Sequence, residues 1–176
     1  MEVQRYSEEE AQAIMDRLQK LSCDDLHELF KQGRAPTFKE IAGACPGMAL
    51  AANPEATWGK KVWEVFYGDN PLARWSGMEF ITPFDTDRIG TGINIYGNRI
   101  WNRRFKFETF ITKAVFDQEP CLRINYRFPS FQTSGFDDAR MIEDGVLLAQ
   151  GCSKKGYPWK PNPIFLFYWV TVAVEQ

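Results

Sequence analysis

The chain contains 176 residues, of which 44% are hydrophobic, and this size suits one domain with a substantial core. Its 21 Lys and Arg residues against 23 Asp and Glu residues give a net charge of -2, which excludes the basic balance of a typical nucleic-acid-binding domain. The longest apolar run, residues 164–174, is shorter than the roughly 20 residues of a membrane-spanning helix. We therefore expect one domain over residues 1–176, with no nucleic-acid partner and no membrane span.

Nothing in the sequence predicts a metal or cofactor site. The chain has one histidine, His27, and its cysteines form no CxxC pair, so neither a zinc cluster nor a disulfide framework is indicated. The dinucleotide fingerprint lacks its third glycine after Gly90-Thr91-Gly92. The N-terminus has no apolar segment typical of a secretory signal, so we expect a cytoplasmic protein with free thiols, no metal and no cofactor.

Residues 1–33 are predicted to form a helical head. Ser7 precedes Glu10 by three residues, and Ser22 precedes Asp25 by three, which is the spacing of a helix-starting capping box. The apolar residues that follow recur at three- and four-residue intervals, typical of one buried stripe on each helix: Ala11, Ile14, Met15, Leu18, Leu21, Leu26, Leu29 and Phe30. We expect His27 to lie on the surface or to pack the second helix, because it is outside the β-rich body.

Residues 34–75 are predicted to form an irregular connection, with one short turn of helix over residues 38–42, because Pro and Gly recur there. Residues 76–176 are predicted to be a β-body. Its strands, rich in β-branched and aromatic residues, are 77–82, 88–96, 105–116, 120–128, 139–150 and 165–174. Glu143-Asp144-Gly145 divides the fifth segment into a hairpin, with Gly145 at positive φ. Successive hairpins predict an antiparallel meander, which closes into a barrel to remove its edges.

The body resembles the lipocalin-like (calycin) barrels over roughly residues 76–174. The resemblance rests on the turn-rich Gly68-Asp69-Asn70-Pro71 entry, the hairpin from Glu143 to Leu148 and the aromatic terminal strand. It is architectural, and the Gly-x-Trp signature of true lipocalins is absent. It implies a mainly β fold, an antiparallel meander closed into a lipocalin-like barrel with N-terminal helices. It also implies binding of small apolar molecules, and some such barrels are cofactor-free isomerases or cyclases.

The hairpin over residues 105–128 has one apolar side and one mixed side. With its loop at residues 117–120, Phe110 lies opposite Arg127, and opposed residues share a side of the sheet. The mixed side carries Glu108, Phe110, Arg123, Asn125 and Arg127. The apolar side carries Phe107, Thr109, Ile111, Val115, Leu122, Ile124 and Tyr126. Two arrangements are open: the apolar side fills a solid core while the mixed side meets water, or the mixed side lines a cavity and the helices cover the apolar side.

The second arrangement predicts a site. Glu108 would transfer a proton, because apolar walls raise the pKa of a carboxyl group, and Arg123 would neutralise an anionic oxygen. Aromatic rings would wall the ligand, and polar groups such as Asn94 and Tyr96 would orient a carbonyl. The predicted substrate-binding residues are Trp63, Tyr67, Trp75, Asn94, Tyr96, Trp101, Phe110, Asn125 and Arg127. The loops over residues 128–138 and 151–163 are predicted lids.

These observations favour a cofactor-independent isomerase or cyclase. It would hold a small, mostly apolar organic molecule, polyketide- or terpenoid-like, in the barrel and act by positioning and proton transfer. A non-enzymatic carrier of a lipid or pigment is the alternative, and a protein-interaction domain with an exposed apolar patch is a third interpretation. Strand edges left unpaired would also permit a homodimer.

Overall fold

The computed structural model describes residues 4–53, 75–81, 89–97, 103–126, 135–153 and 164–175. In this part of the chain the helices are α1 (Glu8–Leu18), α2 (Cys23–Gln32) and α3 (Phe38–Ile41). The strands are β1 (Gly43–Ala52), β2 (Trp75–Ile81), β3 (Ile89–Tyr96), β4 (Arg103–Lys113), β5 (Pro120–Tyr126), β6 (Gly135–Glu143), β7 (Val146–Ser153) and β8 (Ile164–Val172). The strands pair antiparallel in chain order, and β1 also pairs with β8, so the sheet closes into a barrel. The predicted mainly β fold, a closed meander with N-terminal helices, is confirmed.

The helical head is also confirmed. Both predicted capping boxes form: the Ser7 hydroxyl accepts from the Glu10 amide at 3.2 Å, and the Ser22 hydroxyl accepts from the Asp25 amide at 3.2 Å. Each helix buries its apolar stripe against the barrel, and α3 occupies the short helical turn that the sequence predicts. No helix among the described residues is long and apolar enough to cross a membrane.

The β-body begins earlier than predicted. Residues 34–75 were expected to form a connection, but β1 spans Gly43–Ala52 and pairs with both β2 and β8. The segment has few β-branched or aromatic side chains, so its own composition does not identify it as a strand. Its strand conformation depends on backbone pairing with two neighbours, which a local pattern does not report. Likewise β6 begins at Gly135 rather than residue 139, so Asp137 and Asp138 lie in a strand and not in a lid.

The β4–β5 hairpin has a longer loop than predicted. The structure pairs Phe110 with Arg123, whereas the sequence predicted Arg127 opposite Phe110. The loop runs from Ala114 to Glu119, joined by a 2.8 Å hydrogen bond from the Ala114 amide to the Glu119 carbonyl, with Gln118 at φ 64°. The register is thus shifted by an even number of residues. Because side chains alternate with a period of two, each one keeps its predicted side of the sheet.

Two apolar clusters occupy the two faces of the sheet. The interior cluster contains the apolar side of the hairpin, such as Phe107 and Ile124, together with Phe38 and Ile41 of α3. The outer cluster joins α1 and α2 to the outward side chains of β1 and β6–β8. Nearly all of β7 is buried because it is covered on both faces. The apolar side of the hairpin therefore faces the interior, and the mixed side faces outward.

Arg140 joins the head to the barrel. Its side chain is completely buried on the outer face of β6, and each of its five N–H groups donates a hydrogen bond. Two bonds of 2.7 Å reach the Asp117 carboxylate, and others reach the carbonyls of Glu119 and Pro120. A further bond of 3.3 Å reaches the Phe30 carbonyl at the end of α2. A buried guanidinium with every donor satisfied links the helix, the hairpin loop and the strand at one point.

The contact between α3 and the barrel gives a stability prediction. A Cβ atom at Gly90 would overlap the Phe38 ring, which packs on the inward face of β3. We expect G90A to lower the free energy of unfolding by about 1–3 kcal/mol, because overpacking forces side chains from their rotamers. Urea denaturation would measure the change.

The control for this prediction is a double-mutant cycle with F38A. Removing the ring leaves room for the new methyl group, so we expect the losses in G90A and F38A to sum to more than the loss in the double variant. Additive losses would show that the Phe38 ring is not what excludes a side chain at position 90.

Candidate functional site

The barrel has two distinct ends. The upper end is defined by strand termini that adjoin segments outside the described residues: Ala52, Trp75, Tyr96, Arg103, Tyr126, Gly135, Ser153 and Ile164. The lower end is defined by α3, the β4–β5 loop and the β6–β7 turn at Gly145, which has the predicted positive φ, 78°. At the lower end, α3 packs its apolar side chains into the interior cluster.

A carboxyl group lies inside the barrel near the upper end. Asp137 is the third residue of β6, is 4% exposed, and has Ile124 and Gly151 beside it on the neighbouring strands. Its Oδ2 atom accepts two hydrogen bonds, from the Tyr126 hydroxyl at 2.6 Å and from the Trp169 indole N–H at 3.1 Å. No described residue donates to Oδ1. The carboxyl is therefore held by one oxygen, and the other oxygen is available to a ligand.

Burial changes the acidity of this group. Desolvation raises the pKa of Asp137 to about 7, and the nearby Asp138 charge acts in the same direction. The hydrogen bonds from Tyr126 and Trp169 oppose the rise, because they stabilise the charged form. Near neutral pH the carboxyl is thus present both with and without its proton. A group in this state is suited to giving and taking protons.

Aromatic rings surround the Asp137 carboxyl. Trp169 meets Trp75 edge to face, with ring centroids 5.4 Å apart, and the Trp75 indole N–H donates to Asn94 Oδ1 at 2.9 Å. On the other side, Tyr126 meets Phe107 edge to face, with centroids 6.2 Å apart. The site is a polar group set among flat apolar walls. Such walls suit a rigid, mostly apolar organic molecule.

Three of the predicted substrate-binding residues belong to this site. Trp75, Asn94 and Tyr96 are buried, with 4%, 2% and 5% exposure, and they face the interior at the upper end. Four others, Trp63, Tyr67, Trp101 and Arg127, lie outside the described residues.

The hypothesis that the mixed side of the hairpin lines the cavity is wrong. Glu108, Phe110, Arg123 and Asn125 lie on the outer face of the sheet, because the alternate residues of β4 and β5 form the interior cluster. Arg123 donates to both carboxylate oxygens of Asp138, at 2.8 and 3.0 Å. The physical reason is the inside/outside rule: the interior takes the side that is apolar throughout. Catalytic roles for Glu108 and Arg123 stay predictions that no contact in the structure supports.

Sequence reasoning missed Asp137, and placed Tyr126 on the side assumed to face away from the ligand. A signal was present, because Asp137 has the parity of Ala139 and Met141, which are inward residues of the same strand. The predicted start of this strand at residue 139 hid that parity. His27, in contrast, has the packing role expected of it, with its Nδ1 atom 2.9 Å from the Tyr168 hydroxyl oxygen under α2.

Other features of the described residues do not form a second reaction centre. All four cysteines are free thiols, as expected. No group of three His, Cys, Asp or Glu side chains within the described ranges could hold a metal ion. An open pocket of about 520 Å³ lies at the lower end, lined by Arg5, Ala42, Gly43, Glu79, Phe80, Ile81 and Val174.

Comparisons with known proteins support the fold alone. No family model matches the chain, and no curated protein matches it. A crystal structure of a protein from Thermomonospora curvata is similar, with a TM-score of 0.52 and 12% sequence identity. The similarity covers 95% of this chain and 98% of that one. At this identity the match shows a shared fold, and it carries no information about activity.

The buried carboxyl predicts a pH dependence of stability. Above a pH of about 4 the unfolded chain loses the Asp137 proton that the folded protein retains up to a pH of about 7. Folding therefore takes up a proton, and the free energy of unfolding falls as the pH rises through this window. We expect the difference in free energy of unfolding between wild type and D137N to change by up to about 4 kcal/mol across this pH window. Urea denaturation at a series of pH values would measure it.

The matched control is E108Q, which removes a carboxyl group from the outer face of the same barrel. We expect the free energy of unfolding of E108Q to fall with rising pH as it does in wild type. In D137N we expect this fall to be absent. A D137N curve parallel to the wild-type curve would contradict the raised pKa.

Proposed function

We propose that the barrel binds a small, mostly apolar organic molecule, polyketide- or terpenoid-like, and acts on it as a cofactor-independent isomerase or cyclase. The observation that carries the proposal is the Asp137 carboxyl, buried among aromatic rings and held through Oδ2 by Tyr126 and Trp169. A buried carboxyl without a cationic partner destabilises a fold, so its presence in a mostly apolar interior favours a chemical role.

Proton transfer by one carboxyl group is sufficient for such a reaction. Ionised Asp137 would take a proton from a carbon next to a carbonyl group, and the electron pair of that C–H bond would move into an enolate. The protonated carboxyl would then return the proton to a different carbon, which restores the carboxylate and shifts a double bond. A cyclase would use the same enolate to attack a second carbonyl carbon of the molecule; the C=O π bond there breaks, and its oxygen takes the proton back from Asp137 to become a hydroxyl group. Positioning by the aromatic walls would add to the rate by holding the reactive conformer.

The closed eight-strand barrel supports this proposal. Barrels of about eight strands have an interior wide enough for side chains alone or for one small ligand. Trp75 and Trp169, with Asn94 hydrogen-bonded to the first, would provide one wall beside Asp137. The proposed ligand lies in the upper part of the interior, where the carboxyl is located.

A non-enzymatic carrier of a lipid or pigment is the second candidate. One observation favours it: of the charged residues that are buried in the described ranges, Asp137, Asp138 and Arg140, only Asp137 faces the interior, so no second buried charged group accompanies it there. In a carrier, the neutral carboxyl would donate one hydrogen bond to the ligand and no bond would change.

A retention experiment in heavy water distinguishes the two functions. The full-length protein is incubated with a host-cell extract in D₂O, washed, and its retained small molecules are identified by mass spectrometry. An isomerase or cyclase retains a compound that returns with a new structure or with deuterium on carbon, and D137N retains it unchanged. A carrier returns it unchanged from both proteins. If wild type retains no compound, the proposal of a ligand-binding interior is wrong.

Tyr126 offers a graded test of the acid–base group. Its hydrogen bond lowers the pKa of Asp137, so we expect Y126F to raise that pKa above the wild-type value. The pH range over which Asp137 is ionised should then begin higher, and any reaction that needs the carboxylate should lose activity near neutral pH. An NMR titration of the ¹³C-labelled Asp137 carboxyl would measure the shift. An equal or lower pKa in Y126F would contradict the arrangement.

A further inference from the structure

A second polar group points into the barrel without a partner. Thr109 of β4 is 1% exposed, and its register and neighbours place it on the inward side of the strand. Its hydroxyl oxygen is fully buried and has no hydrogen-bond partner among the described residues. Buried hydroxyl groups are nearly always paired, so one that is not paired by the protein indicates a partner from outside the chain.

The strand register relates Thr109 to Asp137. Thr109 pairs with Ile124 on β5, and Ile124 pairs with Asp137 on β6, so the three residues form one inward row across neighbouring strands. At about 4.8 Å between strands, the backbones of Thr109 and Asp137 are about 10 Å apart along the sheet. Both side chains lie on the inward face of the closed barrel. One small molecule could contact both.

The row also shows that the hydroxyl does not serve packing. The residue between the two polar groups, Ile124, is fully buried and apolar, and the partner of Thr109 on β3 is Gly90. Valine has nearly the shape of threonine and the same preference for strands, so it would fill this position without an unpaired donor. Among the described residues the Thr109 hydroxyl therefore has no hydrogen-bonding role.

We propose that Thr109 is a second hydrogen-bonding group for the ligand, which therefore carries two oxygens a few ångströms apart, one at Asp137 and one deeper in the barrel. The inference rests on the proposed function and narrows its substrate class to hydroxyketones and related dioxygenated compounds. Asp137 meets the oxygen nearer the upper end, and Thr109 meets the oxygen nearer α3. A purely apolar ligand would leave the Thr109 hydroxyl unpaired.

The test compares three probes with one carbon skeleton: decalin, 1-decalone and 4-hydroxy-1-decalone. Isothermal titration calorimetry with the full chain measures each affinity. We expect the hydroxyketone to bind wild type about tenfold more tightly than 1-decalone, the size of one added hydrogen bond to a buried group. In T109V this gain disappears, while T109S retains it. T112V, the same change on the outer face of β4, is the matched control and retains the gain.

Thermal unfolding without ligand separates a binding role from a structural one. T109V removes an unpaired buried hydroxyl and should unfold at the wild-type temperature or above it. A midpoint several degrees lower would show that the hydroxyl has a structural partner and would overturn the inference.

The failures of the two proposals are distinguishable. If 1-decalone binds wild type and its affinity falls in D137N, but the hydroxyketone binds no more tightly, the role of Thr109 is wrong and the ligand-binding interior stands. If none of the three probes binds wild type, both proposals are overturned.

Discussion

The pairing of β1 with β8 is the constraint on which the rest of the structure depends. Without it the sheet would have two free edges and its inward face would meet water. Closure encloses a row of aromatic and aliphatic side chains, and it removes water from the Asp137 carboxyl among them. The raised pKa of that group is therefore a consequence of the topology, because desolvation is its largest cause. The chemistry proposed for the barrel exists only when the barrel is closed.

The second determinant is the cover on the outer face. Helices α1 and α2 cover the outward side chains of β7 and β8, so these strands are buried on both sides, while β4 and β5 present charges to the outside. Arg140 connects the two layers through a fully satisfied guanidinium, and Arg123 pairs with Asp138 on the same face. These two ion pairs are thus structural and lie on the outer face of the barrel. The polar groups proposed to contact a ligand, Asp137 and Thr109, lie on its inward side.

The candidate site was predictable in part. Trp75, Asn94 and Tyr96 were expected around a ligand, and the structure brings them together on the inward face of β2 and β3. Glu108 and Arg123 were predicted to be catalytic because they are charged residues on the mixed side of the hairpin. The structure places them on the outer face, because the alternate, apolar residues of β4 and β5 pack inside. Asp137 was missed because its strand, which begins at Gly135, was predicted to begin four residues later, at residue 139. The distinction between an inward and an outward carboxyl depends on one residue of register, which side-chain patterns alone do not resolve.

The sequence by itself determined the elements whose signals are local. The capping boxes at Ser7 and Ser22 define the starts of two helices, Gly145 defines a tight turn, and alternating apolar residues define most strands. The tertiary structure decided what depends on long-range contact: that Gly43–Ala52 is a strand, which face of the hairpin is inside, and that a carboxyl and a threonine hydroxyl share the interior. The reason is physical, since hydrogen bonds between β1 and β8 join residues more than one hundred positions apart.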